Sequence, residues 1–180
     1  MNREYIEVYK KNGKPSGKKL LKSEIHKKGL IHSTIHLWIF CNRNKILIQK
    51  RSQNKKINPG IWDVSVAGHI KYGEDIVDSV IRESKEETGI DIKKNKLKKI
   101  GVFFNEEIHN NLIDREFHHT FLYKTSPNSI NLNFRNSEVE KIKFISYDKM
   151  KTLIKNSDTY FIGTNKKYYN CVLKEIDNFI

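Results

Sequence analysis

The chain predicts an α/β layered fold, on three observations. Strand-like segments are interleaved with segments of helical period. A strongly amphipathic helix, Asp75–Thr88, lies mid-chain with strand candidates on both sides. The 180 residues hold only three prolines and no Ser- or Gly-rich linker, so residues 1–180 read as one domain, with 1–29 as an N-terminal extension packed on it.

The elements follow in order. Glu4 to Lys10 puts Tyr5, Glu7 and Tyr9 on one face and Ile6 and Val8 on the other, as a strand does. Asn12-Gly13 and Pro15-Ser16-Gly17 are turn chemistry. Ile31–Cys41 is a buried strand, and Ile46–Arg51 returns from it through the turn Asn42–Lys45, making a hairpin. Ile61–Val66 alternates Trp62, Val64 and Val66 as a further strand. In Asp75–Thr88, Ile76, Val77, Val80, Ile81 and Ser84 share one stripe. Glu74, Asp75 and Asp78 crowd its first turn, where the helix dipole favours negative charge, and Gly89 stops it. Strands at Leu97–Asn105, Glu116–Lys124 and Val139–Ser146 follow, and then short helices near Asp148–Lys155 and Lys166–Phe179. The last helix carries Tyr168, Val172, Ile176 and Ile180 at steps of four, a core stripe.

Composition excludes several classes. No apolar run approaches the ~20 residues of a membrane span, and Arg3, Glu4 and Glu7 stand where a signal peptide would be apolar. Cys41 and Cys171 make no disulfide framework and have no basic partner nearby in sequence, so both read as packing residues of a cytoplasmic protein. The net charge of +13 is uneven. Residues 1–60 hold twelve Lys and three Arg against three Glu, while residues 61–180 are nearly balanced. Such asymmetry suits an anionic partner, although general Lys and Asn enrichment produces the same sign.

The chemistry is concentrated in residues 68–90. Glu83 and Glu87, four apart, share a helix face, with Glu86 on its edge and Arg82 one turn before Glu86. Three glutamates alone would read as a solvated acidic face. A hard cation such as Mg²⁺ or Mn²⁺ would relieve their repulsion. The spacing decides between these. Gly68, Glu74, Arg82, Glu83, Glu86, Glu87 and Gly89, with Ile90, match G-x5-E-x7-R-E-U-x-E-E-x-G-U, where U is apolar. At roughly one in twenty per fixed position, a chance match at a given start is on the order of 10⁻⁹. Ser84 departs from the aliphatic U usual there and reads as a packing variant.

This pattern is the Nudix box, and from about Ile31 to Ser146 the chain resembles the Nudix hydrolases. The resemblance implies an α/β/α sandwich with a mixed β-sheet, and Mg²⁺- or Mn²⁺-dependent hydrolysis of a small nucleoside diphosphate or related organic diphosphate. It implies metal ligands at Glu83, Glu87, Glu86 and the Gly68 carbonyl, with Arg82 and Glu74 pairing to orient the helix and Gly89 structural. Metal-assisted attack of water on a diphosphate phosphorus accords with those roles.

L-I-Q-K-R-S and P-G-I-W-D-V-S-V-A-G-H, before the box, are similar to the isopentenyl-diphosphate-isomerase-like branch. Isomerases of that branch hold a divalent metal with histidines and glutamates outside the box. His32, His69 and Glu116 match that site in order and approximate spacing, and His26 is a third histidine displaced by about one residue. Their catalytic cysteine falls on Ala67, so one of the two acid/base groups is missing. With Ala67 and an intact box, hydrolase is favoured over isomerase.

Other residues have two readings each. Glu116 is a base or extra ligand, or a strand residue after the loop Asn105–Arg115, with Asp114 two positions earlier on the same face. Lys50 or Arg51 holds phosphate, or both are exposed strand ends; His69 contacts substrate or metal, or is satisfied by backbone. His32 and His36 share a strand face, whereas His118 and His119 point oppositely and do not pair. Trp62 stacks on a base or belongs to the core. Specificity is expected from Ser52–Gly60 and Glu106–Arg115. The expected partner is a small diphosphate, with no membrane and with nucleic acid only as an RNA 5′ end. A homodimer is open, and Met1–Gly29 could cap the substrate site, cover a sheet edge or meet a second subunit.

Overall fold

The centre of the molecule is a strand buried on both faces. In the computed structural model, which describes residues 4–42, 44–109, 112–156, 161 and 165–179, β3 (Ile31–Phe40) is almost entirely buried. Its odd residues Ile35, Leu37 and Ile39 pack into one core and its even residues Trp38 and Phe40 into another. This period-two split places one core on each side of the sheet. The first core is covered by α2 (Ile76–Thr88) through Val80, Ile76, Val77 and Ile81. The second is covered by α3 (Tyr147–Asn156) through Met150 and Ile154, and by α4 (Lys166–Asp177) through Tyr168, Val172 and Ile176. The α/β/α layering follows.

The sheet is mixed, as expected. Its main path is β5 (Trp62–Asp63), β4 (Ile46–Arg51), β3, β8 (Leu112–Lys124) and β7 (Lys98–His109). Strand β6 (Val66–His69) pairs with β3, and β9 (Val139–Ile145) pairs with β4. Strands β3 and β8 run parallel, from Ile31 opposite Arg115 to Phe40 opposite Lys124, and the other pairs are antiparallel. Among the described residues no helix is long and apolar enough to cross a membrane.

Helix α2 begins where the carboxylate of Asp75 accepts from the backbone N–H groups of Val77 and Asp78, at 2.9 and 3.3 Å. It ends at Gly89, whose φ of 72° is the left-handed conformation a side chain resists. Val80 is fully buried beneath it, worth about 1.5–3 kcal/mol relative to exposure. Ser84 fills the slot of the usual aliphatic residue, and its hydroxyl donates to the Ile90 carbonyl at 3.1 Å.

Several expectations need correction. The stretch read as one strand, Ile61–Val66, divides into β5 and β6, because Ser65 leaves the ladder to donate its hydroxyl to Leu47 O and accept from Ile39 N. The turn segment Pro15–Gly17 opens strand β2 (Pro15–Leu21), which pairs with β1 (Tyr5–Tyr9), and a short helix, α1 (Lys22–Lys28), follows it. The loop Asn105–Arg115 is the far end of the β7–β8 hairpin, its pairing continuing through Glu107 opposite Asp114 and Ile108 opposite Ile113. Hydrophobic alternation fades there, so periodicity ended both strands early. Arg43 and Ile180 lie outside the described residues.

The N-terminal segment packs against the residues that follow β6. Ile6 is buried and bridges to Lys71, and Tyr72 N–H donates to Tyr5 O at 2.9 Å. Helix α1 follows with its buried His26.

Candidate active site

One half of the even face of β3 is polar. Ahead of Trp38 and Phe40 come His32, Thr34 and His36. Register extends this patch across the sheet, because directly paired residues share a face. His69 lies beside Thr34 and Ala67 beside His36 on β6. On β8, Glu116 lies beside His32 and His118 beside Thr34. On β7, Asn105 lies opposite Glu116 and Glu107 opposite Asp114. All of these but His32, which is fully buried behind them, line a cleft of about 1470 Å³ that also takes in Gly68, Glu83, Glu86 and Glu87. Lys19, Lys22, Arg51, Lys55 and Lys56, all from the basic first third, line it too.

The box forms one wall. Glu83 and Glu87 are buried, and Glu86 stands half exposed at the rim. Arg82 grips Glu74 with two bonds, Nε to Oε1 at 2.7 Å and Nη2 to Oε2 at 2.8 Å, and donates to the His69 carbonyl at 3.0 Å. It thereby ties the end of β6 to the helix. Its Nη1 also donates to Glu83 at 2.6 Å and Glu86 at 3.1 Å. Glu87 accepts from Gln49 Nε2 at 2.7 Å and from Ala67 N at 2.9 Å. Gly68 allows a close approach: a Cβ there would lie 2.1 Å from the carboxyl carbon of Glu83, which would have to shift.

Electrostatics mark the two buried carboxylates. Burial, and then the charge of Glu83, push the Glu87 carboxyl up to about 8. Burial also raises Glu83, against the pull of Arg82. Burial disfavours the Glu74 carboxylate as well, yet hydrogen bonds from Arg82, Ser79 and the Lys71 N–H, with the charge of Arg82, outweigh it together and hold that group at about 2.

A second wall is made of histidines. The ligand atoms of His26, His32, His69 and Glu116 all lie within 4.8 Å of one another. His32 Nε2 is 3.1 Å from Glu116 Oε1, His69 Nε2 is 3.7 Å from that oxygen, and His26 Nε2 is 3.4 Å from His69 Nε2. The Leu30 carbonyl, 3.2 Å from Nδ1, fixes the other side of the His32 ring. Asp114 Oδ1 lies 3.5 Å from His26 and 3.6 Å from His32, buried and without a hydrogen bond. Burial, then the charge of Glu116, lift its carboxyl to about 8. Burial lowers His26 to about 4 and His69 well below the usual imidazole range. Burial opposes the charged form of His32 too, but the hydrogen bond and charge of Glu116, together with Asp114 and the Leu30 carbonyl, outweigh it and raise that ring.

Of the sequence candidates, Gly68, His69, Arg82, Glu83, Glu86, Glu87 and Glu116 all reach the cleft, and Arg51 does so beside buried Asp63 (3.2 Å). Lys50 does not. It lies outside the lining and pairs with Glu140 at 2.7 Å, which corrects the expectation of a substrate contact to a strand-end lysine committed to a salt bridge. Trp62 packs against the second core beneath Lys143. His118 and His119 do part to opposite faces, His118 into the cleft. Sequence reasoning missed Asp63, Asn165 and Tyr168 in the lining. Tyr168 was read as a core residue, which it also is, and the signal was a hydroxyl in an otherwise aliphatic stripe.

The NUDIX domain family model matches residues 31–162. A Nudix hydrolase of Clostridium acetobutylicum is 38% identical over 160 residues, covering 87% of this chain and 76% of its own. Isopentenyl-diphosphate Delta-isomerase 2 of Photorhabdus laumondii is 32% identical over 151 residues, 83% of this chain and 81% of its own. Among solved structures, DR0079 of Deinococcus radiodurans superposes with a TM-score of 0.72 at 14% identity, covering 93% of this chain and 98% of that one.

Proposed function

The chain belongs to the NUDIX family and is a Nudix hydrolase, and from that premise we propose that it is a divalent-cation-dependent pyrophosphohydrolase of a small organic diphosphate. The observation that carries this reading is the pair of buried carboxylates, Glu83 and Glu87, each made costly to ionise by burial and facing a cleft with lysines and an arginine on its other sides. Buried carboxylates in one cleft fit a hard cation, whose charge would offset that cost. Glu83, Glu87, Glu86 and the Gly68 carbonyl would hold Mg²⁺ or Mn²⁺. Such an ion would offset charge on the transferring phosphoryl group and ease ionisation of the attacking water.

The chain's own groups supply the rest. Arg82 and Glu74 hold the helix to β6, keeping Glu83 against Gly68. Gln49 and the Ala67 N–H orient one oxygen of Glu87. Arg51, Lys22 and Lys55 supply positive charge toward a polyphosphate. His26, His32, His69 and Glu116 would hold a separate, borderline cation such as Zn²⁺, with Asp114, whose buried oxygen lacks a hydrogen bond, as a further ligand.

Isomerase chemistry is the second reading, favoured by that histidine cluster and by the identity to isomerases. Against it, residue 67 offers a methyl group and a backbone N–H already committed to Glu87. Glu83→Gln and Glu87→Gln should each lower Mg²⁺-dependent release of phosphate or nucleotide by at least about 10²-fold while leaving the fold intact by circular dichroism. The screen should cover dinucleotide polyphosphates, nucleoside diphosphate sugars, coenzyme A and prenyl diphosphates. Full activity in either variant, or turnover of a prenyl diphosphate to its isomer, would overturn the hydrolase assignment.

A further inference from the structure

The cleft holds another cluster of ligating side chains that the reading above does not use. One ring nitrogen of His36, one of His118 and a carboxylate oxygen of Glu116 lie within 4.8 Å of one another. Glu116 therefore belongs to two groups, and its oxygens are divided between them. Oε1 faces His32 at 3.1 Å and His69 at 3.7 Å, while Oε2 faces His118 Nδ1 at 3.4 Å. A carboxylate with a histidine group on each oxygen is arranged as a bridge.

The histidines themselves suit ligation. Both are buried, and burial drives both toward the neutral, ligand-competent form, His118 to about 3. Burial also disfavours the Glu116 carboxylate, but His32 and His118 outweigh it and hold the group well below its usual range. His36 is anchored from behind. Its Nδ1 is 2.8 Å from the Tyr168 hydroxyl, which accepts from Trp38 Nε1 at 2.9 Å. In the tautomer whose Nδ1–H donates to that oxygen, the other ring nitrogen is an acceptor, as a metal-bound histidine requires. His118 Nδ1 is held at 2.8 Å by the Thr34 hydroxyl, a neutral partner that a cation can displace. The two rings are stacked, with centroids 3.9 Å apart. An imidazole binds a cation in its own plane, so binding would require His118 to turn out of the stack, while the bond to Tyr168 would hold His36 in place.

We propose that His36, His118 and Glu116 form a second transition-metal subsite, so that Glu116 bridges two borderline divalent cations, of the Zn²⁺ or Fe²⁺ class, inside the cleft. The proposal rests on the reading of His26, His32, His69 and Glu116 as the first such site. Its test must separate the two.

The test counts Zn²⁺ per full-length chain by mass spectrometry after dialysis against Zn²⁺ in excess Mg²⁺, which keeps the box glutamates with the harder ion. The wild type should bind two. His36→Asn and His118→Phe should each bind one, and His32→Asn should also bind one by losing the other. A wild-type count of one that falls only in His32→Asn overturns the second subsite and leaves the first. A count of zero overturns both. Because a buried variant can misfold, anomalous diffraction at the zinc edge from wild-type crystals gives an independent answer. Two peaks, one beside each oxygen of Glu116, support the bridge, and a lone peak at His26, His32 and His69 refutes it.

Discussion

The two walls of the cleft are built in opposite ways. The box wall comes from one helix and the loop before it. Glu83, Glu86 and Glu87 are placed by 3.6-residue periodicity, and Arg82 reaches all its partners within 13 positions of itself. The histidine wall is assembled from α1, β3, β6 and β8, with 84 positions between His32 and Glu116. Their side chains differ to match. The box carries hard oxygen ligands, and among the described residues its three glutamates do not converge within 4.8 Å as the histidines do. A wall written locally keeps its geometry as long as one helix holds. A wall written across the sheet depends on strand register, and a one-residue slip of β8 would turn Glu116 to the opposite face.

The largest break in that contrast should come at Gly68, where the walls meet. A methyl group there would sit 2.1 Å from the Glu83 carboxyl carbon, and Glu83 must move. Gly68→Ala is expected to lower Mg²⁺-dependent turnover by about 10²–10³-fold, in the range seen when a group acting on the transition-state charge is displaced. Zn²⁺ binding at His26, His32, His69 and Glu116 should survive, since the side chain that a methyl group at residue 68 displaces is Glu83, which is not among them. If turnover and Zn²⁺ binding fell together, the walls would be one unit and the contrast would fail. Steady-state kinetics and Zn²⁺ titration on the same preparation decide it.

How much of this was legible in the sequence follows from the same division. The box, its helix and the Arg82–Glu74 pair could be read because their partners are within two or three turns or one short loop. The central strands could be read from apolar runs, and the α/β/α layering from their interleaving with helices. Strand β2 could not, because its residues Pro15, Ser16, Gly17, Lys18 and Lys19 are exposed or half exposed and carry no apolar alternation. The far end of the β7–β8 hairpin was hidden for the same reason. The histidine wall was visible only through family likeness. No spacing rule joins His26 to Asp114, and their proximity is a product of register between strands that the sequence does not state.

Glu74 offers a smaller test, confined to the box wall. Its carboxyl is held at about 2 in the folded chain, against roughly 4.3 when unfolded. A depressed carboxylate stabilises the fold above its unfolded value, and the contribution is lost as the pH falls through about 2. Glu74→Gln should therefore lower the melting temperature at pH 7, by the equivalent of about 1–2 kcal/mol after solvent screening. The difference from wild type should close as the pH approaches 2. A gap that stayed constant with pH would mean that Glu74 acts by packing and not by its charge.

The smallest effect is expected at Ser84, the one place where the box departs from its pattern. Its hydroxyl is buried and donates to the Ile90 carbonyl just beyond the helix end. Ser84→Ala removes that bond, at a cost of about 1 kcal/mol. Alanine also returns up to about half of this through its better helix propensity. The net loss should be near 0.5 kcal/mol in urea unfolding, with turnover unchanged. Ser84→Leu, which restores the bulk of the common aliphatic residue, should be worse by about 1–3 kcal/mol, because this chain has filled that slot with a hydrogen bond and left no volume for the side chain. If leucine stabilised the protein, the slot would be underpacked, and the departure at position 84 would be a defect in the box helix.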